Sequence, residues 1–151
     1  MDWIIGSDHA GFELKQALLD WLPRQGFGFR DAGTYNTESV DYPDFAREVA
    51  RAVAGGQYRG GVLICGSGIG MSIAANKVHG IRAGLCFNRE MARLSRCHND
   101  ANILVLPGRF IDFDTAREMV KVWLETPFDG GRHARRVEKI TQIEQDRLDG
   151  C

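Results

Sequence analysis

The chain has 151 residues, of which 44% are hydrophobic, and its formal net charge is −1. That length suffices for one α/β domain with a sizeable core and is too short for two ordinary domains. The nearly balanced charge gives no reason to expect a nucleic acid or an anionic membrane surface as a partner.

The sequence also lacks the features of a secreted or membrane-spanning protein. Residues 1–8 contain neither a basic segment nor a long apolar segment, so they do not resemble a signal peptide. No apolar run approaches the roughly 20 residues of a membrane-spanning helix. The four cysteines, at positions 65, 86, 97 and 151, show no paired metal-ligand spacing. We therefore expect a reduced, cytoplasmic protein without a cysteine-based metal site.

Hydrophobic periodicity divides the chain into alternating strands and helices. Short apolar runs predict strands at 3–6, 27–32, 62–64, 81–87 and 101–106. Apolar residues at helical spacing predict helices at 14–22, 41–53, 72–75, 88–97, 112–124 and 132–148. This alternation predicts one Rossmann-like, three-layer α/β domain over 1–151: a five-stranded parallel sheet with helices on both faces, followed by a C-terminal helix.

The most informative stretch is 61–77, which has the pattern of a buried strand, a glycine-rich turn and a helix start. Cys65 ends the apolar run, and Gly66, Gly68 and Gly70 follow at alternate positions. Such glycines permit a tight turn and close approach of a ligand to the backbone. A helix that begins after this turn directs unpaired N–H groups and its positive dipole end toward one place. The stretch therefore predicts a thiol beside an anion-binding turn.

Two other interpretations of this stretch are open. Glycine-rich strand-to-helix turns are common in α/β proteins, and a buried cysteine is usually an inert packing residue. A dinucleotide-binding fingerprint would require Gly-x-Gly-x-x-Gly and an acidic residue about 20 positions later. Here the spacing is Gly-x-Gly-x-Gly, and the next predicted strand is followed by Asn88, so a nicotinamide cofactor is disfavoured.

Polar residues follow three of the predicted strands. In parallel sheets, ligands bind where the carboxyl ends of the strands meet. Asp8 and His9 follow the first strand, Cys65 ends the third, and Arg109 follows the fifth. These turns should share one edge of the sheet. Asp8 and His9 are equally compatible with a simple Asx-type turn.

Two other polar groups lie elsewhere in the sequence. Arg132 and Arg136 are four residues apart, hence on one helical face, where they could clamp a phosphate or form an ordinary solvated surface. The lack of interleaved aromatic residues disfavours an RNA-binding tail. His98 and Asn99 fall between a predicted helix and a strand, as a helix C-cap would.

Together and in this order, the motifs resemble the ribose-5-phosphate isomerase B family of sugar-phosphate isomerases. The resemblance extends over almost the whole chain and is carried by residues 6–11, 41–43, 64–70, 74–77, 80–83, 98–102, 130–133 and 136–137. The glycine turn with Ala-Ala-Asn-Lys and the His-Asn-Asp block are its most specific parts.

The resemblance implies an aldose–ketose isomerase of the pentose phosphate pathway that interconverts D-ribose 5-phosphate and D-ribulose 5-phosphate without a metal or cofactor. In this family, Cys65 would be the base that moves a proton between C2 and C1 through an enediolate, and His98 would open the sugar ring. An ordinary thiol is only slightly ionised at neutral pH, so Cys65 would need the adjacent helix N-terminus to stabilise its thiolate.

The resemblance also implies how the substrate is held. His9, Arg109, Arg132 and Arg136 would bind the phosphate, and Asp8 and Asn99 the sugar hydroxyls. The Ser67 hydroxyl and backbone N–H groups from 66 to 70 would stabilise the enediolate. The full set of expected substrate-binding residues is Asp8, His9, Asp41, Tyr42, Gly66, Ser67, Gly68, Ile69, Gly70, Asn99, Arg109, Arg132 and Arg136.

Two variations within the family bear on this chain. One branch has a glutamate base at the position of Met71 and lacks the cysteine; with Cys65 and Met71, this chain resembles the cysteine branch. Alternative functions are isomerisation of a hexose 6-phosphate, such as allose or galactose 6-phosphate, and a non-catalytic sugar-phosphate sensor. Intact Cys65 and His98 argue against the sensor.

The predicted topology separates the two catalytic candidates. Cys65 ends a strand, whereas His98 precedes one, so they should lie at opposite edges of the sheet, roughly 17–20 Å apart. Two groups that act on one sugar must lie much closer. We therefore expect a homodimer or tetramer with active sites shared between subunits, as the resemblance also implies, with helix 132–148 packed on a partner subunit.

Overall fold

A computed structural model describes the backbone of residues 1–149 and the side chains of residues 1–146. Its centre is one sheet in which all neighbouring strands are parallel, with the order β2-β1-β3-β5-β4. The strands are β1 (Trp3–Ser7), β2 (Phe29–Asp31), β3 (Gly60–Cys65), β4 (Ala83–Leu85) and β5 (Ile103–Pro107). The predicted fold class is confirmed.

Helices cover both faces of the sheet. They are α1 (Phe12–Trp21), α2 (Tyr42–Ala54), α3 (Ile69–Asn76), α4 (Arg89–Cys97), α5 (Phe113–Glu125) and α6 (Arg132–Asp149), with a 3₁₀ turn at Leu22–Gln25. Within residues 1–149, no helix has the length and apolar content needed to cross a membrane.

Alternation along the central strands produces two apolar layers. In β3, Val62 and Ile64 pack with residues of α1 and α5 on one face of the sheet. Leu63 and Cys65 pack with residues of α2 and α3 on the other. Successive strand residues point to opposite faces of the sheet. A strand that is buried on both faces therefore has a continuous apolar sequence, as β3 does.

The two outer strands are shorter than the sequence predicts. β2 covers 29–31 rather than 27–32, and β4 covers 83–85 rather than 81–87. Each has a single neighbouring strand, so fewer ladder hydrogen bonds extend it. At the ends, other bonds replace the ladder: Phe27 N–H donates to Leu22, and Arg82 N–H donates to the Asn102 side chain.

Gly11 joins α1 to the strand that carries Cys65. It occupies the N-cap of α1, and a Cβ placed there would lie 2.6 Å from the Ile64 carbonyl oxygen and 2.8 Å from Ile64 Cβ. Real Cβ atoms do not approach that closely, so a side chain at this position would push α1 away from β3.

We therefore expect Gly11→Ala to destabilise the fold by about 1–3 kcal/mol, the usual cost of overpacking. Gly28→Ala is the matched control, because the nearest atom to its added methyl would be 3.7 Å away on Met1. Urea denaturation followed by circular dichroism measures both. Equal midpoints for the two variants would show that Gly11 is not needed for close packing.

Candidate active site

The turns after β1, β3 and β5 meet at the carboxyl edge of the sheet, as the sequence predicts. These strands are neighbours, with Ser7 paired to Ile64 and Cys65 paired to Pro107. Between the turns lies an open cleft of about 640 Å³, called here the carboxyl-edge cleft. Its lining residues are Asp8, His9, Ala10, Tyr42, Cys65, Gly66, Ser67, Ile69, Gly70, Ile73, Arg109 and Phe110.

Cys65 is the last residue of β3 and is only 5% exposed. Its carbonyl oxygen accepts a hydrogen bond of 2.8 Å from Gly108 N–H, and the Gly66 carbonyl accepts one of 2.9 Å from Arg109 N–H. These two bonds fasten the turn after β5 to the turn after β3. The thiol is therefore part of a cleft whose walls are held together by backbone contacts.

The glycine turn sets the start of α3 directly beside Cys65. Gly68 has φ +76°, and a Cβ there would lie 2.4 Å from Leu85, so both conformation and packing favour glycine. Ile69 N–H donates to Ser67 Oγ at 3.2 Å. The first N–H groups of a helix lack intrahelical acceptors, so this end of α3 carries partial positive charge.

Asp8 and His9 have fixed orientations in the cleft. Asp8 Oδ1 accepts a 3.0 Å hydrogen bond from Gly11 N–H, so the first turn of α1 holds the carboxylate. His9 Nδ1 accepts a 3.1 Å bond from Val40 N–H. With Nδ1 acting as acceptor, a neutral His9 ring carries its proton on Nε2 and can donate it to an anion.

Arg109 supplies the guanidinium of the cleft. Its side chain crosses Gly66 so closely that a Cβ there would lie 3.2 Å from Arg109 Nη1. Among the described residues no acidic side chain pairs with it. Arg109 and His9 together make the cleft suitable for an anionic group such as phosphate.

Six of the expected site residues are not among those that line this cleft: Asp41 and Gly68, and four residues at the amino edge of the sheet. This amino-edge group comprises His98, Asn99, Arg132 and Arg136. His98 caps the end of α4, and Asn99 lines a smaller cavity of about 240 Å³ with Ile140 of α6. β5 begins at Ile103, and Pro107 at its other end pairs with Cys65. At ~3.3 Å per residue, these two ends of the strand are about 13 Å apart. His98 precedes Ile103 in the chain, so it belongs to the end away from Cys65.

His98 is held by a second imidazole. Its ring stacks on His133, with centroids 4.1 Å apart and planes inclined by 11°. Desolvation lowers the pKa of His133, and the nearby charges of His98, Arg132 and Arg136 lower it further. The stack also fixes the first turn of α6 next to His98.

Comparison with known proteins identifies the family. The Ribose/Galactose Isomerase family model matches residues 3–140. The chain belongs to the ribose/galactose isomerase family. Ribose-5-phosphate isomerase B of Escherichia coli is 49% identical over 142 residues, which cover 94% of this chain and 95% of that protein. The structure of Clostridium thermocellum ribose-5-phosphate isomerase B is 53% identical with a TM-score of 0.95, and the match covers 97% and 99% of the two chains.

One relative is named for a different sugar phosphate. A Pectobacterium atrosepticum relative named D-erythrulose-4-phosphate isomerase is 40% identical over 141 residues, or 93% of each chain. Proteins similar to this chain are therefore named for sugar phosphates of different lengths.

Within this member of the ribose/galactose isomerase family, Met71 is a core residue. It is fully buried in the apolar cluster that also contains Cys65. A thioether does not exchange protons, so Cys65 is the only one of the two positions that offers a base. Cys86 does not compete, because burial raises its pKa to about 11, with a smaller opposite effect from Ser95.

Asp41 and Tyr42 differ in their relation to the cleft. Tyr42 lines it, and its ring lies so close to Gly70 that a Cβ there would be 2.4 Å from Tyr42 Cζ. Asp41 occupies the N-cap position of α2, but its side chain makes no capping hydrogen bond. It is exposed and outside the lining of the cleft.

Apolar side chains surround the cleft, and the sequence analysis anticipated only two of them, Tyr42 and Ile69. This apolar rim consists of Tyr42, Ile69, Ile73 and Phe110, and Phe110 leaves 71% of its surface exposed. A signal for Ile73 was present, because it lies four residues after the expected Ile69 and shares a face of α3 with it. Large exposed apolar side chains grouped at one place indicate a surface that another molecule covers.

Proposed function

We propose that this chain interconverts D-ribose 5-phosphate and D-ribulose 5-phosphate. The observation that carries the proposal is the position of Cys65, a buried thiol between the N-terminus of α3 and a guanidinium in one cleft. Membership of the ribose/galactose isomerase family and the 49% identity to the E. coli enzyme support the same reaction.

In this proposal Cys65 is the base of the isomerisation. Its thiolate takes the proton from C2 of the open-chain aldose and returns it to C1, while the C2 hydroxyl loses a proton and the C1 oxygen gains one. Negative charge on the intermediate enediolate is stabilised by Ser67 and by the backbone N–H groups from Gly66 to Gly70. The partial positive charge at the start of α3 lies beside the same intermediate.

The phosphate end of the substrate lies between His9 and Arg109 in this arrangement. Asp8, held by Gly11 N–H, accepts hydrogen bonds from sugar hydroxyls. The ring form of the sugar must also be opened before it can isomerise. We assign that step to His98, whose imidazole can exchange protons near neutral pH.

Because His98 lies at the other edge of its own sheet, the His98 that acts at a given cleft comes from a second copy of the chain. The same subunit would bring Asn99, Arg132 and Arg136 to the substrate. The apolar rim supports this arrangement, since a second subunit that delivers the amino-edge group would also cover these exposed side chains. The proposed unit is a homodimer, or a tetramer built from such dimers.

The C-terminal helix contributes to the same interface in this proposal. α6 touches its own subunit through the His133 stack and a 2.9 Å hydrogen bond from Gly80 N–H to Glu144. Ile140 and Ile143 remain 46% and 63% exposed. A helix that leaves its apolar residues exposed is stabilised by a partner, so residues 132–148 would pack on the other subunit. Side chains 147 and 148 lie outside the described part of the chain.

Longer and shorter sugar phosphates are the alternative substrates. A hexose 6-phosphate, such as allose or galactose 6-phosphate, would use the same chemistry in a deeper site. The Pectobacterium relative raises a four-carbon ketose phosphate as another candidate. A sugar-phosphate sensor without turnover is disfavoured, because it would have no use for a buried thiol beside a helix N-terminus.

Replacing Cys65 with alanine tests the proposed base. Cys65→Ala should fold normally and lower kcat for ribose 5-phosphate by about 10²–10⁴-fold, the usual contribution of a positioned base. Cys86→Ala removes another buried thiol and should keep full activity. Wild-type rates on four-, five- and six-carbon sugar phosphates establish the preferred length. A Cys65→Ala variant as active as Cys86→Ala would place the base elsewhere.

Arginine variants test the phosphate contacts. Arg132→Ala and Arg136→Ala should each raise KM about 10–100-fold, because a hydrogen bond to a charged group is worth about 1.5–3 kcal/mol. Competitive inhibition by inorganic phosphate should weaken in parallel. Lys121→Ala, which removes an exposed cation from α5, is the control. If KM and phosphate inhibition stay at the control's values, these arginines are an ordinary solvated surface.

A further inference from the structure

Three side chains of types that can ligate a metal meet at the amino edge. The Cys97 thiol, the His98 imidazole and the Asp129 carboxylate each offer a ligand atom, and these atoms all lie within 4.8 Å of one another. Within the described residues this is the only such group of three. Asp129 N–H also donates to the Cys97 carbonyl oxygen at 3.0 Å, which holds the loop before α6 against the end of α4.

We propose that this Cys97 cluster (Cys97, His98 and Asp129) binds a divalent ion of the zinc class, and that binding inhibits the isomerase by occupying His98. The inhibitory half rests on the role proposed above for His98, whereas binding itself does not. The ion is an inhibitor in this proposal and has no part in the reaction.

The donor set selects the kind of ion. A thiolate sulfur, an imidazole nitrogen and a carboxylate oxygen are the three protein ligands that zinc accepts, with a fourth position left for water. Magnesium and calcium prefer oxygen ligands, so one carboxylate would not hold them here. Ligand atoms around tetrahedral zinc lie roughly 3.5 Å apart, so the cluster needs to close by at most about 1.3 Å. Asp129 is on an exposed loop and can make that movement.

The charges around the cluster allow a cation. Arg93 Nη1 donates a hydrogen bond of 3.6 Å to Cys97 Sγ. Its own charge is already paired, because Arg93 donates two hydrogen bonds, of 2.6 and 3.1 Å, to Glu90. A divalent ion displaces the thiol proton, and the resulting thiolate and Asp129 carboxylate balance its two charges. Arg132 and Arg136 of α6 therefore face a neutral complex.

The stack with His133 is compatible with metal binding. A metal approaches an imidazole nitrogen in the plane of the ring, whereas His133 covers a face of the His98 ring. The stack thus limits rotation of His98 and leaves its edge available. Once a ring nitrogen of His98 holds an ion, its lone pair cannot exchange a proton with the sugar, which explains the expected inhibition.

Cobalt(II) provides a direct test, because it replaces zinc and shows a thiolate-to-metal charge-transfer band when sulfur is a ligand. The full-length protein is titrated with cobalt in a phosphine-reduced, chelator-free buffer, and zinc is then added as a competitor. Wild type should show the band at one equivalent per chain. Cys97→Ser should abolish it, and Asp129→Asn should weaken binding at least about 10-fold, since even second-shell losses cost 10–100-fold.

Cys65→Ser distinguishes this cluster from the thiol of the carboxyl-edge cleft and should keep the band. Absence of a band in wild type, or its loss in Cys65→Ser with retention in Cys97→Ser, overturns the binding proposal.

Activity assays test the inhibitory half of the proposal. Cys97→Ser should keep its basal rate and lose zinc inhibition. Zinc inhibition of Cys97→Ser equal to that of wild type overturns this half. If wild type has no isomerase activity, the function proposed above fails, while the spectra still decide the metal site.

Discussion

The constraint on which the structure depends is the common direction of its five strands. Because every strand runs the same way, every residue that follows a strand lies at one edge and every residue that precedes one lies at the other. Asp8, Cys65 and Arg109 therefore meet without any long connection, since β1, β3 and β5 are neighbours. The same rule keeps His98 away from them, however the intervening helix packs.

This separation gives the proposed assembly its physical reason. In that proposal a single chain presents two incomplete half-sites, one with the thiol and one with the imidazole and the arginines of α6. The apolar rim on the first half-site and the exposed face of α6 on the second are the surfaces that association would bury. An enzyme of this design would lose activity on dissociation even though each subunit remained folded.

Most of the fold was predictable because its strongest signals are local. The apolar run of β3 and the glycines after it specify a buried strand and a tight turn. The ends of β2 and β4 were not predictable to the residue, because an edge strand ends where its one neighbour stops pairing with it. The missing side-chain cap at Asp41 likewise depends on side-chain orientation rather than on residue type.

The sites were predictable only where the signal was contiguous. Asp8 and Cys65 carry recognisable motifs, and the expected residues of the carboxyl edge mostly line one cleft. Phe110 was missed because nothing in the sequence distinguishes an exposed phenylalanine from a buried one. The Cys97 cluster was missed because Asp129 comes from another loop, so cysteine spacing alone could not reveal it.

The most direct test of the central claim, that each active site is shared between two chains, is complementation between two inactive variants. Cys65→Ala and His98→Ala are unfolded, mixed in equal amounts and refolded, and isomerase activity is measured against each variant refolded alone. Random pairing makes half of the dimers mixed, with one intact site of two, so activity should return to up to about a quarter of the wild-type value. No recovery in a preparation whose mixed dimers are verified by mass spectrometry would contradict the shared site.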